Sequence, residues 1–102
     1  MAIDATFQPQ GPTVLVGTTA VQVPGAAGGS TSYRIRNISA SVQYFSWGTA
    51  SVGAPVAPVA GTPSANTIGM LGGSVETFCI SSNPFLIAGT ATGFEVTPGE
   101  GV

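Results

Sequence analysis

From Thr13 onward the chain alternates apolar and polar residues in short runs, each closed by Gly, Pro, Ser or Asn. A repeat of two residues is the signature of extended strands with one face turned inward. Thr13–Val16 and Thr19–Val23 read as two short strands around the Gly17-Thr18 turn signal. Ser32–Ile38 alternates most regularly, placing Tyr33, Ile35 and Asn37 on one face and Arg34, Arg36 and Ile38 on the other. In Ser41–Trp47, Val42, Tyr44 and Ser46 oppose Gln43, Phe45 and Trp47, so both faces carry an aromatic residue and neither is expected to be fully solvated. Thr67–Leu71, Val75–Ile80, Phe85–Ala88 and Thr92–Thr97 follow, the last with Phe94 and Val96 inward and Glu95 and Thr97 outward.

Two segments break the pattern. Residues 1–12 hold two prolines and two glutamines around one aromatic, Phe7, and read as an arm or edge segment. We expect this arm to be mobile in the free protein and ordered by a partner. Residues 48–66 are rich in Ala, Pro and Gly; a loop of that length without structure is unusual, and a short edge strand is expected within Ser51–Val59. The count is then eight or nine short strands at the turn spacing of a sandwich or barrel, with no internal repeat. With 15 Gly and 8 Pro in 102 residues, helices are disfavoured. The chain is therefore expected to be an arm over residues 1–12 followed by one all-β sandwich domain over residues 13–102.

Charge narrows the function. The chain has two cations, Arg34 and Arg36, four carboxylates, no histidine and one cysteine, so 6% of residues are charged against about a quarter in an ordinary domain. Two cations make no footprint for a phosphate backbone, which argues against nucleic-acid binding. Zinc sites draw on His and Cys, and calcium loops on closely spaced acids; neither is supplied, and no cofactor is expected. Asp4, Glu76, Glu95 and Glu100 lack the paired, donor-rich surroundings of an acid and base, so the chain is not expected to be an enzyme. Cys79 is expected to pack as a small buried hydrophobe. No apolar run approaches the ~18 residues that cross a bilayer, and the first residues carry no basic and apolar leader, so cytoplasmic synthesis without membrane association is expected.

What stands out is surface that needs covering. Arg34 and Arg36 on one strand face suit bidentate contacts to carboxylates of a partner, or a solvated face paired with Glu76 or Glu95. Tyr44 and Trp47 suit a packed interface or a sugar-stacking platform, and Phe7, the one aromatic of the first twelve residues, is a further candidate for partner contact.

Four segments together carry a resemblance: Tyr33-Arg34-Ile35-Arg36-Asn37, Phe45-Ser46-Trp47-Gly48, Gly72-Gly73-Ser74-Val75-Glu76-Thr77-Phe78, and Thr97-Pro98-Gly99-Glu100-Gly101-Val102. Over residues 31–102 the chain resembles the small β-sandwich decoration or cement proteins of tailed bacteriophage capsids. The resemblance implies a jelly-roll-like fold, no catalysis and a place on the outer surface of the virion capsid. There such a protein bridges major capsid protein subunits, often as a symmetric homo-oligomer; a trimer is expected here, with a dimer next. The competing expectation is a carbohydrate-binding or adhesin module of a phage fibre or tail, with Tyr44 or Trp47 stacking on sugar.

Overall fold

The structure, a computed structural model, describes residues 7–25, 29, 31–48, 55, 59–61, 66–80 and 83–100. These residues form nine strands and no helix: β1 (Gln8–Pro9), β2 (Val14–Val16), β3 (Val21–Gln22), β4 (Ser32–Asn37), β5 (Gln43–Gly48), β6 (Thr67–Met70), β7 (Val75–Cys79), β8 (Phe85–Ala88) and β9 (Phe94–Glu100). All pairing is antiparallel, in two sheets. The first sheet runs β1-β9-β4-β7, with β2 also on β9; the second runs β3-β8-β5-β6. β2 and β3 follow one another in sequence yet enter different sheets, so the Gly17-Thr18 turn crosses between layers instead of closing a hairpin. The strand expected within Ser51–Val59 lies largely outside the described residues.

The alternation read in the sequence sets the layers. Tyr33, Ile35, Phe94, Val96 and Val16 of the first sheet meet Phe45, Met70, Leu86 and Ala88 of the second in one buried cluster. Phe45 is its centre. Its ring meets Phe94 and Phe78 edge-on at 5.2 and 5.6 Å between centroids and tilts against Trp47 at 6.1 Å. Such aromatic pairs contribute about 0.5–1.5 kcal/mol each beyond area burial.

Polar staples hold both ends of the sandwich. At one end the fully buried Tyr33 accepts a hydrogen bond at its hydroxyl from the Asn83 backbone N–H (3.1 Å), and the Asn83 side-chain oxygen accepts from Gly25 N–H (2.7 Å). At the other, Asn37 is fully buried and its side-chain amide donates to the carbonyls of Ser41, Met70 and Leu71 at 2.9, 3.0 and 3.0 Å. Its side-chain oxygen accepts from the Ser39 backbone N–H at 3.0 Å. This ties the β4–β5 connection to the β6–β7 turn, where Gly73 takes φ 74° and a side chain at Gly72 would collide with the Ala40 backbone.

Three expectations change. The last strand does not stop at Thr97 but runs through Pro98 to Glu100. In an antiparallel strand the N–H and C=O of one residue point to the same neighbour. The Pro98 carbonyl accepts from Gln10 N–H at 2.8 Å, so the missing proline N–H faces the short edge and leaves the β4 pairing intact. Secondly, the segment expected to be ordered by a partner pairs, from Gln8, with the chain's own last strand. Gln8 and Pro9 pair with Glu100 and Gly99, and the Phe7 ring lies where a side chain at Gly99 would stand. Thirdly, Cys79 is exposed, not buried. Phe78 takes the inward position opposite Tyr33, so the next residue turns outward opposite Ser32, with its sulfur 3.2 Å from the Thr31 hydroxyl.

Candidate functional site

The outer face of the first sheet gathers the chain's two cations. Strand registers arrange it in cross-strand rows. One row reads Leu15, Glu95, Arg36, Val75; the next reads Thr97, Arg34, Thr77, extended by the Thr13 hydroxyl 2.7 Å from that of Thr97. Arg36 lies directly opposite Glu95, and their side chains form a long ion pair of 3.4 Å with about half of each exposed. An exposed pair of this kind contributes little to stability. Arg34 has threonines on both sides, and its guanidinium has no ion-pair or hydrogen-bond partner among the described residues. A shallow groove of about 250 Å³ runs between the two arginines, bounded by Thr13, Thr97, Glu95 and Val75. Phe7 shares this face, because Pro9 lies opposite Gly99 and alternation returns Phe7 to the same side.

Tyr44 and Trp47 are elsewhere and apart. Tyr44 lies over Gly69, directly opposite it on the outer face of the second sheet. Trp47 is half-buried beside Phe45, where it lines a groove of about 480 Å³ with Ile68, Phe78, Ile80 and Asn66. The five residues singled out in the sequence thus divide into Phe7, Arg34 and Arg36 on one face, Tyr44 on another, and Trp47 in a groove between the sheets.

Sequence reading missed a third feature. Val42 and Leu71 are half or more exposed, and Val75 is 41% exposed, at the end of the sandwich that Asn37 staples. Leu71 precedes the Gly72-Gly73 turn, where an apolar residue cannot reach a core; that position was the available signal. Asn37 also begins an Asn-Ile-Ser glycosylation pattern, but its amide is buried and committed to three carbonyls. Among the described residues no three His, Cys, Asp or Glu side chains gather to hold a metal ion. Comparison with protein-family models, curated proteins and solved structures returned no match.

Proposed function

We propose that this chain is a structural virion protein that attaches to the outside of a tailed-phage head, bridges major capsid subunits and stabilises the shell, acting as a homo-oligomer without catalysis. The observation that carries this reading is the strand order. The order β2-β9-β4-β7 facing β3-β8-β5-β6, with β1 as an added edge, supports a jelly-roll-like reading of the two antiparallel sheets, an architecture used by viral capsid and lectin domains. Surface chemistry supports the same reading. Leu15, Val42, Leu71 and Val75 project from stapled backbone in a chain with few charges to keep such surface dispersed.

A major capsid gene beside this one is expected, and the test is cosedimentation with expanded heads assembled from its product. Saturable attachment at a fixed ratio to capsid subunits is expected, with heads surviving higher temperature when decorated. Absence of attachment at micromolar protein refutes the reading. Light scattering of the free protein is expected to report a trimer.

A second reading, a carbohydrate-binding or adhesin module, draws on the Trp47 groove and on the same architecture. A glycan-array signal lost on Trp47→Ala, together with no attachment to heads, selects it.

A further inference from the structure

We propose that the outer face of the first sheet is the partner-binding face, and that Arg34 holds a carboxylate presented by an acidic segment of a protein partner. This deepens the shell-binding reading by naming the face and the chemistry of the contact.

The argument is one of charge complementarity. Among the described residues the face presents two guanidiniums and a single carboxylate, while the chain as a whole is negative. Glu95 is directly opposite Arg36 and is engaged by it; relative to Arg34 it is only the diagonal neighbour. The residues that do stand opposite Arg34, Thr77 and Thr97, donate or accept hydrogen bonds but cannot neutralise a cation. Arg34 therefore offers a free planar fork, matched to a carboxylate, at the centre of a row of short hydroxyl side chains that let a partner backbone come close. The exposed Leu15 and Val75 close the adjoining row with apolar contacts, as in the mixed patches that proteins bury on one another.

A second copy docking through the same face is disfavoured by the same count. Two such faces together carry twice as many guanidiniums as carboxylates, and like charges brought together at an interface oppose binding. An acidic partner has no such conflict, and of the chain's surfaces this one alone holds cations for it.

Heads and a model peptide separate the contact from the function. Arg34→Gln is expected to weaken attachment to expanded heads roughly tenfold or more, because a charge-assisted fork is lost, and Arg34→Lys by less. Both variants keep the wild-type melting temperature, since the side chain is exposed. If heads bind wild type and Arg34→Gln equally, the Arg34 contact is overturned while the shell-binding reading stands. If heads bind neither, that reading falls, and an NMR titration with a hexaglutamate peptide against hexaglutamine decides the contact alone. Shifts at Arg34, Thr77 and Thr97 that need glutamate and vanish in Arg34→Gln support it; no such shifts overturn it. Loss of the free protein's own oligomer in Arg34→Gln assigns the carboxylate to a second copy and overturns the proposal as stated.

Discussion

Replacing Asn37 by Ala tests whether one buried amide holds an end of the sandwich. The side chain has no exposed surface and binds three carbonyls and one backbone N–H drawn from the β4–β5 connection and the β6–β7 turn. The Met70 carbonyl is the most enclosed acceptor, and stranding it costs about 1–3 kcal/mol. The remaining groups are nearer the surface and recover water, at about 0.5–1.5 kcal/mol each. The sum spans about 2.5–7.5 kcal/mol, and its lower end alone lowers the melting temperature of a domain this size by about 10–20 °C. Asn37→Asp sharpens the test. It keeps the size but removes both amide donors and aims a buried carboxylate at three carbonyl oxygens. Burial and those oxygens disfavour the charged form, so the folded-state pKa rises above the unfolded value of about 3.9. Between the two values the folded chain holds a proton that the unfolded chain has released, so stability falls as pH rises. Relative to wild type at each pH, Asn37→Asp is expected to be weaker than Asn37→Ala at neutral pH and to recover toward pH ~4, while Asn37→Ala keeps a constant deficit. Circular-dichroism melts across that range read both. A drop under about 4 °C for Asn37→Ala, or identical pH profiles for the two variants, refutes the account.

Phe45→Ala removes the ring shared by Phe78, Phe94 and Trp47 and is expected to cost about 3–5 kcal/mol in urea denaturation; a loss below about 1 kcal/mol places the core elsewhere. Gly99→Ala puts a methyl in the space of the Phe7 ring, so the strand at Gln8–Pro9 is expected to detach and become protease-sensitive while the remaining sheets persist. Unchanged protease resistance contradicts this docking. Native protein is expected to react with a thiol reagent at Cys79 without denaturant; reaction only in urea returns that residue to the core.

Much of the strand content was legible because alternation is local. A period of two in Ser32–Ile38 and Thr92–Thr97 reports which side chains point inward before any partner is known, and Tyr33, Ile35, Phe94 and Val96 are buried while Arg34 and Arg36 are exposed. Low charge and the small number of reactive side chains were equally plain, and they directed attention to surfaces in place of pockets with chemistry. Where a strand ends was less legible, as Pro98 shows. A proline terminates a strand only if its missing N–H would face a needed neighbour, and that depends on which strand lies on each side.

Partnership is what tertiary structure decided. β9 lies between β4 and the two short strands β1 and β2, segments brought together from opposite ends of the chain. That arrangement alone sets Glu95 against Arg36 and leaves Arg34 between threonines. It also turns Asn37 from one more inward residue of a strand into the staple of a distant turn, and puts Phe78 in the core with Cys79 outside. The physical reason is range: side-chain direction follows from a residue's own backbone, whereas cross-strand neighbours follow from the global packing of two apolar faces. Composition and alternation therefore determined that this chain would be a low-charge β protein with surface to cover, and only the register of its sheets decided which face carries a cation without a counter-charge.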